Sequence, residues 1–147
     1  MKFSKKSEYA LRALLELIAH QKPPLLQRHD IAERQNIPIE FLEQILLTLK
    51  NAGLLASKRG INGGYSLLKS PDEITLGPVI RLLDGPLAPI GCVSKTAYQK
   101  CADCPYAEKA SCPIQQVMLD VRNAIAAILD NYTLRDFASG HRKTAQH

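Results

Sequence analysis

The chain has 147 residues, 46% apolar and 22% charged, enough to bury the core of one ordinary domain and typical of soluble globular proteins. No apolar stretch approaches the roughly 20 residues of a membrane span, and Arg12 and Glu16 interrupt the apolar start, which argues against a signal peptide or anchor and for a cytoplasmic protein. The net charge of +5 suits a polyanionic partner, and all of it lies in one half: residues 1–70 hold eleven Lys and Arg against six carboxylates, residues 71–147 eight of each.

Between Ser7 and Gln21, Ala10, Leu11, Leu14, Leu15, Leu17 and Ile18 recur at helical spacing, with Ser4 or Ser7 as the cap and Lys22-Pro23-Pro24 as the stop. His29–Gln35 reads as a short helix and Asn36–Pro38 as a tight break. A longer helix then runs over Ile39–Ala52, with Phe41, Leu42, Ile45, Leu46 and Leu49 on its core side and Gly53 past its end. Two helices so closely joined describe a helix-turn-helix. Leu54–Lys58 and Tyr65–Lys69 flank the Gly-rich run Arg59-Gly60-Ile61-Asn62-Gly63-Gly64, which makes a hairpin and, directly after a recognition helix, a wing.

Thr75 or Asp72 can cap a further helix through Asp84, closed by Gly85-Pro86. Residues 86–112 lack periodicity and hold every cysteine: Cys92, Cys101, Cys104 and Cys112, spaced C-x8-C-x2-C-x7-C. From Pro113 to about Asn131, Ile114, Val117, Met118, Val121, Ile125, Ile128 and Leu129 form one stripe of a long helix. Such a helix either packs back on its own domain or crosses a symmetry mate, and dimerisation is the expectation. The fold class is therefore mainly α with a small β-hairpin wing: a winged helix-turn-helix (1–85), a cysteine-rich loop (86–112), a C-terminal dimerisation helix (113–137) and a disordered tail (138–147).

The chemistry divides in the same way. A helix in the major groove reads bases with side chains near its N-terminus, here Glu40, Glu43 and Gln44; Gln bonds adenine and Glu accepts from cytosine. Lys58 and Arg59 lie beside Gly60, Gly63 and Gly64, which let the backbone approach phosphate or enter the minor groove, and Lys5 and Lys6 add phosphate contacts. For any single lysine a solvated surface position explains it as well; the order of elements carries the inference. In a reducing compartment four clustered thiols point to a metal site or redox sensor rather than disulfides. An iron–sulfur cluster, zinc, and redox-active or silent thiols all remain open on this spacing, although only Cys101 and Cys104 form the C-x-x-C knuckle that a zinc ribbon uses twice. No catalytic triad, nucleotide-binding glycine pattern or carboxylate pair emerges, and the histidines are scattered at 20, 29, 141 and 147, so an enzyme is not expected.

The stretch IPIEFLEQILLTLKNAGLLASKRGINGGYSLLKSPDEITLGPVIRLLDGP resembles the winged-helix region of the Rrf-two family of bacterial transcription regulators, of the IscR and NsrR type, and SEYALRALLELIA resembles the family's first helix. Ile61-Asn62 departs from the Pro-Gly of many members. The resemblance implies a homodimeric regulator, a repressor, of a palindromic operator on double-stranded DNA. It implies base reading by Glu43 and Gln44 and minor-groove entry by Arg59. It further implies an iron–sulfur cluster, 2Fe-2S rather than 4Fe-4S, that senses iron–sulfur status, redox state or nitric oxide. Such clusters are held by three cysteines plus one other residue. Cys92 and Cys112 match the outer positions, and Cys101 or Cys104 the middle one. Gln115 stands where some members place a ligating His, Glu8 where others bring an acidic ligand from the partner subunit, and His29 is a further candidate. The alternatives are a zinc-binding regulator and a cluster-free member controlled by a partner protein, a small molecule or thiol oxidation.

Overall fold

The computed structural model describes residues 2–108 and 111–141. Helix α1 (Lys5–Ala19) starts at Ser4, whose hydroxyl accepts from the Ser7 N–H at 3.1 Å and so satisfies a donor the first turn leaves open. Ser4 is itself fixed across the fold, since its N–H and hydroxyl both donate to Asp84. Helices α2 (Arg28–Gln35) and α3 (Ile39–Asn51) are joined by a turn in which Asn36 takes φ 51°, the left-handed region that Asn tolerates better than most residues. Leu42, Ile45, Leu46 and Leu49 of α3 have no exposed surface. At about 1.5–3 kcal/mol per buried side chain, they lock α3 against α1 and α2.

Phe41 was expected among them and is instead 39% exposed. It flanks the buried stripe and packs its ring edge-on to Tyr9 of α1, 5.5 Å between centroids.

Strands β1 (Leu55–Lys58) and β2 (Gly64–Leu67) pair antiparallel with Leu55 opposite Leu67 and Lys58 opposite Gly64. The hairpin's first strand starts one residue after Leu54, and its second starts one residue before Tyr65 and stops short of Lys69. It is held to the helices by a bridge to Leu26, where the Tyr65 N–H donates to the Leu26 carbonyl at 2.9 Å. Helix α4 (Leu76–Asp84) begins at Thr75, which has the extended backbone of a cap without a hydroxyl bond, and buries Leu76, Val79 and Ile80. Residues 86–108 hold one 3-10 turn, Gly91–Val93.

Helix α5 (Pro113–Asn131) buries a single residue, Arg122. It does not continue to 137. The chain turns at Tyr132–Thr133, where the Leu76 N–H donates to Tyr132 O at 2.9 Å and the Leu134 N–H to Ile74 O at 2.8 Å, and a sixth helix, α6 (Leu134–Ser139), follows. Thr133 and Asp136 cap it reciprocally, each side chain accepting from the other's N–H at 3.0 Å. Leu134 is fully buried in the winged-helix core. The start of the expected tail is thus ordered, with Ala138 and Ser139 ending α6 and Gly140 capping it at φ 68°; the tail beyond residue 141 lies outside the described residues. Among the described residues no helix is long and apolar enough to cross a membrane.

Candidate functional site

Because α3 buries one stripe so completely, its opposite face is necessarily open: Glu40, Glu43 and Gln44 are exposed, and Leu47, one turn on, is 56% exposed. Leu47 and Arg28 were missed in the sequence. Leu47 lies off the buried stripe by its spacing from Gln44, a signal that was available. Arg28 sits at the start of α2 and pairs with Glu43 at 3.2 Å, which only the tertiary fold brings about. An exposed pair of this kind contributes little stability, but it lowers the charge a lone carboxylate would present to an anionic partner. Lys5 is exposed, pairs with Glu8 at 3.0 Å and lies 5.6 Å from the Tyr9 ring; Tyr9 meets Phe41, so this group lies beside the first turn of α3.

At the wing, Lys58, Arg59 and Gly60 are exposed, and Ile61 at the tip is 96% exposed. Gly60 has φ 106° with open space around it. Gly63 and Gly64, expected to let the backbone approach DNA, are buried and have another task. A Cβ on Gly63 would lie 2.1 Å from Lys58 O, and one on Gly64, at φ 150°, 2.3 Å from Leu26 O. Both are therefore needed for the hairpin to close on itself and on the Leu25–Leu26 segment, and little of their surface is left for contact.

The four cysteines are free and line one open cleft of about 490 Å³ with Ile90, Tyr98 and Ile114. The Cys101 thiol is held above its ordinary value, first by desolvation and then by Cys92, Cys104 and Asp103 beside it. No group of three His, Cys, Asp or Glu among the described residues stands at ligating distance. Gln115 does not line up as a ligand. Its side-chain amide donates to the Cys92 carbonyl at 3.2 Å and so ties the loop to α5. Glu8 is outside the cleft, hydrogen-bonded by Lys5 and by Arg12 at 2.8 Å, which hold its carboxyl below its usual value. His29 is also remote, exposed beside Asp30.

The stripe of α5 divides in two. Met118, Ile125 and Leu129 are half-buried against the chain, whereas Ile114, Val117, Val121 and Ile128 are exposed by 65%, 57%, 39% and 45%. With exposed Ala124, these four follow the alternating three- and four-residue spacing of a coiled-coil seam.

Residues 3–140 match the family model described as Rrf2, iron-dependent transcriptional regulator. An rrf2-like HTH-type transcriptional regulator of Rhodobacter capsulatus is 41% identical over 97% of this chain and 96% of its own length. The solved structure of CymR, the global cysteine regulator of Bacillus subtilis, superimposes with a TM-score of 0.77 at 34% identity, covering 97% of this chain and 99% of CymR. The transcriptional regulator IscR of Aliivibrio salmonicida is 34% identical over 91% of this chain and 75% of its own length. With its winged helix-turn-helix and a match along nearly its whole length, the chain belongs to the Rrf2 family of DNA-binding transcriptional regulators, which are not enzymes.

Proposed function

We propose that the protein is a cytoplasmic homodimeric repressor that reads a palindromic operator with α3 and its wing and senses through its cysteine cleft. The observation that carries this reading is the solvent-facing surface of α3, Glu40, Glu43, Gln44 and Leu47, in a chain whose wing tip offers Lys58 and Arg59. Glu43 and Gln44 read base edges, Arg59 enters the minor groove, and Lys5 holds phosphate. Two such surfaces, joined along the exposed seam of α5, meet two half-sites at once, and an operator with matching two-fold symmetry follows.

The sensing site is the thiol cleft. Its donors suit a thiophilic iron centre: four cysteines face one cavity, and Cys92 and Cys104 are near enough to Cys101 to help raise its thiol. We assign Cys92, Cys112 and one of Cys101 and Cys104 as holders of an iron–sulfur cluster of 2Fe-2S type, with the remaining cysteine or Glu8 of the partner subunit as the fourth ligand. Such a cluster supplies charge that responds to redox state and nitric oxide. The chain's own part is mechanical: Cys112 leads directly into α5, and Gln115 ties Cys92 to the same helix, so a rearranged loop shifts the dimer seam and the spacing of the recognition helices. A second reading, thiol oxidation without a cluster, is supported by the likeness to a global cysteine regulator and by the four free thiols that line one cleft.

Anaerobic purification decides between them. A brown protein with sulfide-to-iron absorbance and matching iron and sulfide counts supports the cluster; a colourless protein, or one carrying zinc, refutes it. Equal affinity of holo, apo and oxidised protein for a selected operator at fixed salt refutes sensing altogether.

A further inference from the structure

Arg122 is the one buried residue of α5, with 7% of its surface exposed. One terminal nitrogen donates to the neighbouring Asn123 side chain, and its Nε has no hydrogen-bond partner among the described residues. An unpartnered buried guanidinium nitrogen carries a desolvation penalty that folding alone does not recover. Arg122 borders a second cavity, of about 220 Å³, between α4, α5 and residues 86–96, apart from the cysteine cleft. Its other charged lining residues are Lys95, which is exposed, and Arg81; among the described residues no carboxylate lines it. Arg81 is already neutralised by Asp130, through bonds of 2.6 and 2.8 Å, so the uncompensated cations are Arg122 and Lys95. Ser94, buried at 8% exposure, and Thr96 add hydroxyls, while Pro86, Leu87 and Ala126 supply apolar wall.

We propose that this cavity is an effector site for a small oxyanion, a carboxylate or an inorganic sulfate or phosphate, seated on Arg122. A guanidinium fork matches the two oxygens of such a group. The space equals that of about seven waters, which limits the ligand to one anionic head with a short tail. Occupancy alters the junction on which α5 meets α4. Its coupling to DNA rests on the regulator reading above; binding of the ligand does not.

Titration calorimetry on the full chain without DNA tests binding, with sodium sulfate and sodium succinate as separate probes against sodium chloride at equal ionic strength. Saturable binding of either is expected, and the more effective probe identifies the inorganic or carboxylate source. Arg122→Gln weakens it about tenfold or more. Because Arg122 is buried, Lys95→Ala serves as the second variant, at an exposed position, with a several-fold loss expected; Lys69→Ala, on the wing side, changes nothing. Binding of neither probe, or equal affinity in wild type and Lys95→Ala, overturns the site. With the ligand bound, operator affinity shifts about fivefold or more, and an unchanged affinity overturns the effector role while leaving the regulator reading intact.

Discussion

Replacing Gly64 with Ala tests how the wing is held. The added Cβ would stand 2.3 Å from Leu26 O and 2.7 Å from Leu26 C, both backbone atoms, so the hairpin must withdraw from the Leu25–Leu26 segment. Withdrawal breaks the 2.9 Å bond from the Tyr65 N–H to Leu26 O, a loss of about 0.5–1.5 kcal/mol. The left-handed φ of 150° adds about 1–3 kcal/mol of strain for a residue with a side chain. Together these destabilise the protein by about 2–4 kcal/mol, which urea unfolding followed by far-UV circular dichroism measures directly. Gly60→Ala is the control: its φ is also positive but nothing lies within 4 Å of the new Cβ, so strain alone acts and the loss is about 1 kcal/mol. Equal losses in the two variants, or a loss under about 0.5 kcal/mol for Gly64→Ala, would refute the close-approach account.

Val121→Asp places a charge in the exposed seam of α5; sedimentation velocity should report a dimer for the wild type and a monomer for the variant, with circular dichroism unchanged, and a dimer of the variant sinks the seam. Arg59→Ala should weaken operator binding and lower the salt-dependence slope by about one, whereas Gln44→Ala should relax sequence preference in a mismatch series with the slope retained. Asp130→Asn tests the clasp between α4 and α5. Hydrogen bonding from Arg81 outweighs desolvation and holds the Asp130 carboxyl below its ordinary value. Stability from a depressed acid is present above the unfolded value of about 3.9 and lost as pH falls through the folded one. The difference in unfolding free energy between wild type and Asp130→Asn should therefore be steady near neutrality and shrink below about pH 4. With both partners partly exposed, the neutral-pH difference should stay near 1 kcal/mol or below.

The helix-turn-helix and wing were legible because each element carries its own local signal: periodic leucines, Asn36 at a left-handed turn, Gly53 past a helix end. Phe41 misled because a helical stripe read as five residues includes its flank, and only the position of Tyr9 shows that the ring lies at the rim. Helix α6 escaped notice because six residues hold too little periodicity, although the Thr133-x-x-Asp136 pair and Gly140 marked both of its ends. Gly63 and Gly64 were noticed for flexibility; their real constraint comes from Lys58 and Leu26, and contact with a distant segment leaves no trace in local pattern. The α5 stripe was read as one surface because sequence shows which side chains are apolar without showing how many neighbours the chain supplies. The cysteine spacing identified the cleft's thiols but not their separation, since an aperiodic loop has no repeat from which position can be computed.

The hydrogen bonds that receive Tyr132 and Leu134 into the winged-helix core have a mechanical meaning. They make the C-terminal end of α5 a pivot, while its other end hangs from Cys112. With 19 residues, the arm between them is roughly 28 Å long. Turning about that pivot by only about 5° would carry the cysteine end through roughly 2.5 Å, close to half a helical turn against a facing copy. Helix α5 therefore has the proportions of a lever: in the proposed dimer, a short stroke at the thiols would become a change of mesh along the seam.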